Sequence, residues 1–468
     1  MHKLNQEHYP IKGYFHFDYP IHISKVESYV QNRNAIAEHS FFPLISYNQE
    51  MEKHTTNLEE YTDGRPFYKK PRPIKYAGHL DGYIYKYYAN ELNLIYNKWV
   101  GEHKIDDCSV AYRTNKKGKS NIDFAAEVID FLHKTNEAYV LVGDFKSYFE
   151  SLNHQLLKER ICKVLACDRL SDDWFNVFNS VTKFGYIEKK TVEEFFGKED
   201  DLRQKNYKSF TSKNNSVSDF RKMYKIQSNK SGKGVPQGVP ISAVMANIYA
   251  IEFDESINHL VTILGGLYRR YSDDFILVIP KVVGEKEDTF KQFQGLIKKI
   301  YQYAEKNELE IATEKTHIYK REDNKIYELD EIDSYKESRI DYLGFVYDGI
   351  NVSIRQRSIE RFYRKMKKFI NGMKYKLKLN NRKNKIPKMV KIPHRDLIYS
   401  LFTDKGFKEE HGIKRTNFIE YVKRSQYKFD EISPETNNIM LDQIKNRKKK
   451  IEKLLGMRTY IRLSEKIE

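Results

Sequence analysis

The chain has 468 residues, with 82 Lys and Arg against 65 Asp and Glu and a net charge of +17. Its three cysteines form no CxxC pair, which excludes a disulfide framework and a cysteine-based zinc site. No stretch approaches the roughly twenty apolar residues that span a bilayer. The opening MHKLNQEHYPIKGYF carries no secretory signal, so a cytoplasmic protein off the membrane is expected. The basic balance suits a polyanionic partner such as nucleic acid.

Along the chain, Met1 to about Gly64 is aromatic and mixed, without clear period, and reads as an N-terminal extension packing on the neighbouring region. Arg72-Pro73-Ile74 precedes a helical stretch reaching Trp99, and Ala111-Tyr112-Arg113 leads through a polar turn into a helix from Asn121. Ala138 to Gly143 is a short apolar, β-branched run with Asp144 directly at its end, a strand that delivers a carboxylate to its edge. Residues of about 189–233 are polar and rich in Lys, Ser and Asn, an inserted surface loop or short helices. Gly234, Pro236, Gly238 and Pro240 then punctuate a loop, and a helix is predicted from Ile241, with Ser242 in its first turn, to about His259.

Leu267 to Tyr271 and Phe275 to Ile279 bracket Ser272-Asp273-Asp274, a tight hairpin with two carboxylates at its tip. Taken alone, an aspartate pair reads as a solvated acidic turn. The strand ending in Asp144 changes that weighing, because Asp144, Asp273 and Asp274 would converge. Like charges so placed repel and invite a divalent cation, and oxygen-only ligands suit Mg²⁺. Farther on, Arg355 to Arg395 holds sixteen Lys and Arg and one acid, Glu360. There Ile359, Phe362, Met366, Phe369, Ile370 and Met373 recur at helical spacing, giving an apolar face opposite a basic one. The tail from Leu441 contains another basic amphipathic helix.

In order, the strand-borne Asp144, Pro236-Gln237-Gly238 with Pro240 and Ser242, and Tyr271 with Asp273-Asp274 resemble the blocks of the reverse transcriptases. Arg72-Pro73-Ile74 looks like that family's first block and Ala111-Tyr112-Arg113 like its second. Ala312-Thr313-Glu314-Lys315-Thr316 looks like its palm-lysine motif, and Asp341-Tyr342-Leu343-Gly344-Phe345 like its primer-grip turn. The resemblance covers roughly Tyr68 to Ile354. It implies an α+β right-hand polymerase, with fingers and palm over 65–348 around an antiparallel palm sheet. The extension 1–64 would precede that core, and an α-helical, basic, thumb-like region over 349–468 would come after it.

The resemblance also implies roles. Asp144 and Asp273 would ligate two Mg²⁺ directly, with Asp274 beside them and Phe145 lending its carbonyl; Mn²⁺ is an alternative ion. One ion would activate the attacking 3′-hydroxyl and the other hold the triphosphate. Phe149 would be a steric gate filling the space of a ribose 2′-hydroxyl. Arg113 and Arg72 would hold the incoming triphosphate, and Gln237 and Gly238 would line the nucleotide pocket. Lys315 would protonate the departing pyrophosphate, with an ordinary solvated lysine an equal reading. Leu343 and Gly344 would grip the primer, while Arg361, Arg364, Lys367 and Lys368 would meet backbone phosphates. The partners implied are an RNA template, dNTPs and a DNA product.

Ser242 is followed by Ala243 where the family's common motif has proline. With the run ISAVMANIYAIEFD, this resembles the bacterial abortive-infection and defence-associated ("unknown group") reverse transcriptases. That implies RNA-directed or template-independent DNA synthesis in anti-phage defence. A cognate non-coding RNA as template, priming from a protein hydroxyl and a homo-oligomer stay open. Retron enzymes are similar in the palm, but their NAxxH and VTG signatures are absent, and no nuclease pattern of a group II intron enzyme appears after the thumb. A non-catalytic RNA-binding scaffold derived from a polymerase is a further alternative, although a decayed site would be expected to lose a carboxylate. An RNA-dependent RNA polymerase would share the carboxylates but clash with Phe149.

Overall fold

The computed structural model describes residues 4–54, 57, 59, 67–211, 216–281, 289–329, 335–383, 395–406, 409–410, 413–414 and 417–456. Strands β1 (Leu44–His54) and β2 (Phe67–Tyr76) pair antiparallel from Ile45↔Tyr76 to His54↔Phe67. Strand β1, in the stretch expected as an N-terminal extension, thus pairs with β2 of the expected core, and the two share one sheet. Helix α1 (His79–Glu102) comes next. Helix α2 (Asn121–Lys134) starts on a capping box, in which Ser120 and Asp123 satisfy each other's backbone donors. After it lie β3 (Ala138–Asp144), β4 (Gly185–Glu188) and β5 (Gln227–Ser228), and the first sheet runs β2-β1-β4-β5.

The segment expected as an insertion forms three short helices within Lys189–Met223. Val192, Phe196, Leu202 and Phe220 from it pack with Phe15, Phe17 and Ile45 in a separate small core. Two stretches without clear period thus complete each other, which neither one's own pattern could announce.

The helix expected over 241–259 is instead two, α3 (Pro240–Tyr249) and α4 (Ile251–Ile263). Ala250, at φ −93° and ψ 9°, breaks the run, and the second helix carries Asp254 in its first turn. The hairpin β6 (Leu267–Tyr271) and β7 (Asp274–Pro280), helix α5 (Thr289–Lys306) and strands β8 (His317–Glu322), β9 (Lys325–Leu329) and β10 (Tyr335–Glu337) complete the palm. Its six-stranded sheet, β10-β9-β8-β3-β7-β6, is antiparallel throughout.

Both faces of that sheet are covered, which is why β3 and β7 read as continuous apolar runs. Tyr139, Leu141, Phe275 and Leu277 join the core under α3, α4 and α5. Val140, Ile276 and Val278 point the other way, into a second core shared with α2 and the C-terminal region. In that region, β11 (Ile340–Tyr342), β12 (Phe345–Tyr347), β13 (Asn351–Ile354) and Asn437–Asn438 make a third sheet. Helices α6 (Gln356–Lys383), α7 (Phe418–Ile432) and α8 (Arg447–Leu455) pack beside it. The region after 349, expected to be α-helical, supplies these helices, while β13 joins the sheet because Val352 and Ile354 alternate into its core. Residues 384–394 of the basic stretch and the tail beyond 456 lie outside the described residues.

Candidate active site

The carboxylates converge because of strand register. Asp144 at the end of β3 lies opposite Asp274 at the start of β7, one step beyond Gly143↔Phe275. A Cβ on Gly143 would stand 2.3 Å from the Phe275 ring, so only glycine lets the two strands close at this point. At the hairpin tip Ser272 takes φ +62°, and the Asp273 carbonyl accepts the Phe145 backbone N–H at 3.0 Å. The three aspartates expected from sequence are thereby gathered on one edge.

Burial comes first among the causes that push the Asp274 carboxyl up to about 7; the charges of Asp273 and Asp144 add to it, while Arg355 and Lys315 draw it back. Asp144 is also raised, by burial and by Asp273, and its hydrogen bond from Lys315 offsets only part of that. Lys315 Nζ donates to Asp144 Oδ1. Burial lowers the Lys315 ammonium, but the bond to Asp144 and the neighbouring acids outweigh it and hold the group protonated. The pair's two directions conflict for Asp144 alone, where desolvation exceeds what one half-exposed lysine returns.

Among the described residues, no group of three His, Cys, Asp or Glu side chains is arranged to hold a metal ion. The donor chemistry still fits Mg²⁺, which needs few carboxylates when phosphates and waters complete its shell. Asp144, Asp273 and the Phe145 carbonyl would supply those donors, and a cation there would relieve the repulsion that raises Asp144 and Asp274.

The residues expected to meet the nucleotide are gathered by contacts between β2 and the Pro236–Pro240 loop. Arg72 Nε donates to Gln237 Oε1 at 2.9 Å, Gln237 Nε2 donates to Glu150 Oε1 at 2.8 Å, and Lys75 N donates to the Gln237 carbonyl at 2.8 Å. Gly238, at φ +110°, lies so close to β2 that a Cβ would be 2.4 Å from the Lys75 carbonyl. Phe149 is half-buried beside this loop, and its carbonyl accepts from Val235 N at 2.8 Å. Arg72, Phe149, Gln237 and Gly238 are thus brought together.

Arg113, expected to hold the triphosphate, is not among them. Its guanidinium is buried over the Tyr96 ring. It donates to Asn97 Oδ1 at 2.5 Å, to the carbonyls of Ser109 and Asp106 at 2.8 and 3.1 Å, and to the Asp106 carboxylate. With four of its five N–H donors so engaged and the guanidinium buried, it staples the second block to α1.

Sequence reasoning also passed over Arg270. Fully buried, it grips Asp254 with both Nε and Nη2, at 2.8 and 2.6 Å, and donates from Nη1 to the Ser272 carbonyl at 2.9 Å. Tyr268 OH adds a third bond to Asp254 at 2.7 Å. Arg270 therefore fixes the carboxylate hairpin to α4. The available signal was an arginine placed one residue before Tyr271 in a strand whose alternate positions face inward.

The turn expected to grip the primer is equally clamped. Leu343 and Gly344 take φ +48° and +96°, the Leu343 carbonyl accepts from Asn121 Nδ2 at 3.0 Å, and the Gly344 carbonyl accepts from Arg355 N at 2.9 Å. On α6, Ile359, Phe362, Met366 and Ile370 are buried while Arg361, Arg364, Lys367 and Lys368 are exposed, which is the expected amphipathic division. No described helix is long and apolar enough to cross a membrane.

Comparison with known proteins gives the same outline. The family model for reverse transcriptase (RNA-dependent DNA polymerase) matches residues 69–347. No curated protein matches the sequence. Similar solved structures include apo telomerase from Candida tropicalis truncated from its C-terminal domain, at 14% identity and TM-score 0.40, covering 71% of this chain and 60% of that one. Another is telomerase from Candida albicans in complex with a TWJ fragment of telomeric RNA, at 11% identity and TM-score 0.39, covering 92% and 65%. This chain therefore spans less than two thirds of either telomerase chain. With more than half of its length matched by the family model, the chain belongs to the reverse transcriptase family.

Proposed function

We propose that the protein is an RNA-directed DNA polymerase that adds deoxynucleotides by Mg²⁺-dependent nucleotidyl transfer in bacterial anti-phage defence. The observation that carries the chemistry is the register that sets Asp144 opposite Asp274, with Asp273 tied to Phe145. Mg²⁺ held by Asp144, Asp273 and the Phe145 carbonyl would supply activation of the 3′-hydroxyl and neutralisation of the pyrophosphate charge. Lys315, protonated beside Asp144, can keep a proton ready for that leaving group. Arg72 and Gln237 would orient the triphosphate and sugar, and the Phe149 ring would exclude a 2′-hydroxyl.

The defence assignment rests on Ser242-Ala243 within the run ISAVMANIYAIEFD. Template identity and priming mode belong to the same proposal: RNA supplies the template, and dNTPs and a DNA product complete the partners. A non-catalytic RNA-binding scaffold is the second reading, favoured by the lysine seated on Asp144. Sequencing the nucleic acid that copurifies from phage-infected cells tests both. DNA bound to wild type and missing from Asp273→Asn supports synthesis. RNA alone, identical with both proteins, supports the scaffold.

A further inference from the structure

The second sequence block contributes more than its buried arginine. Tyr112 sits at φ +58°, a conformation that costs a bulky side chain energy and persists only where the surroundings enforce it. Here they do. Asn93 Nδ2 donates to the Tyr112 carbonyl at 2.7 Å, and Asn93 Oδ1 accepts from Thr114 N at 3.1 Å. Asn247 Nδ2 donates to the Ala111 carbonyl at 2.8 Å. Asn93 and Asn247 are both buried, so helices α1 and α3 pin the residues on each side of Tyr112.

The enforced backbone does not bury the ring. Tyr112 is 51% exposed. Its centroid lies 6.3 Å from that of Tyr271, which in turn lies 6.3 Å from that of buried Phe124. The three rings form a file that begins in the core, passes the residue leading into Ser272 and Asp273, and ends in solvent. The exposed residue Lys117 stands in the next turn of the chain, while Lys119 Nζ is taken up by Glu127 at 2.6 Å.

We infer that Tyr112 is a stacking platform for a nucleobase of the bound primer–template, beside the carboxylate hairpin. An exposed aromatic face with a basic residue close by in the chain is an arrangement that takes single-stranded bases without reading their sequence. A ring wanted only for packing would need neither the strained backbone nor the exposure. The inference rests on the polymerase reading and adds a residue to it.

The test measures the affinity of the full chain for a DNA primer on an RNA template, with single abasic nucleotides moved across the positions around the primer terminus. Wild type loses about ten- to hundredfold at one position. Tyr112→Phe shows the same penalty there, and Tyr112→Leu binds the intact and abasic duplexes with equal, reduced affinity. Tyr112→Gly suits the backbone and melts at or above the wild-type temperature. An abasic penalty unchanged in Tyr112→Leu, with synthesis intact, overturns the platform while leaving the polymerase standing. A clear drop in melting temperature for Tyr112→Gly also overturns it, since the ring would then be a packing residue. Wild type that binds no primer–template at all removes the polymerase reading and the platform with it.

Discussion

Four of the non-glycine residues in left-handed conformation, Tyr112, Ser147, Ser272 and Leu343, lie in the segments that build the site. Strain of this kind gathers where a fold over-determines its backbone for function. The three aspartates were legible because Asp144 ends one apolar run, Asp274 begins another and Asp273 stands in the tight turn just before it. Arg113 was not, because spacing says nothing of where a guanidinium points; Asn97, Asp106 and the Ser109 carbonyl meet it only in the fold. Asp274 gives a residue-scale prediction. Burial, then Asp273 and Asp144, lift its carboxyl from an ordinary 3.8 to about 7. The folded protein keeps a proton that the unfolded chain gives up above about pH 4, so this group's contribution is full below that pH and lost as pH rises through 7. In metal-free buffer, the gain in melting temperature of Asp274→Asn over wild type is therefore larger at pH 8 than at pH 5. Equal gains at both would mean that the carboxyl ionises normally.

At the scale of elements, the hairpin depends on α4 as much as on its own strands. Removing one partner of a buried ion pair leaves an uncompensated charge and costs about 3–5 kcal/mol. Asp254→Asn should destabilise the fold by that much and lower synthesis, because Arg270 then loses its grip on the Ser272 carbonyl. A variant with wild-type denaturation midpoint and rate would show that the pair does not position the hairpin. The α6 helix was legible from its apolar spacing, and its Arg361, Lys367 and Lys368 are exposed, as contact with phosphates would require. Lys367→Glu with Lys368→Glu should flatten the log–log salt dependence of duplex binding by about one for each phosphate no longer engaged. An unchanged slope would return this face to plain solvation.

At the scale of the whole molecule, the order of blocks was readable and the joints between regions were not. The fingers sheet takes β1 from the N-terminal stretch, and the third sheet takes β13 from beyond the palm. Phe15 and Phe17 find their core in a segment far along the chain, at Phe210 and Phe220. Pairings of such range carry no local periodicity, so composition drew boundaries through them. On the proposed function, the whole architecture serves to bring three carboxylates to one primer terminus. The most direct measurement is incorporation of labelled dNTPs by purified protein on a primed RNA template with Mg²⁺, comparing wild type with Asp144→Asn. An RNA-templated DNA product from wild type and a loss of several orders of magnitude in the variant are expected. Equal incorporation by both would contradict the proposed function.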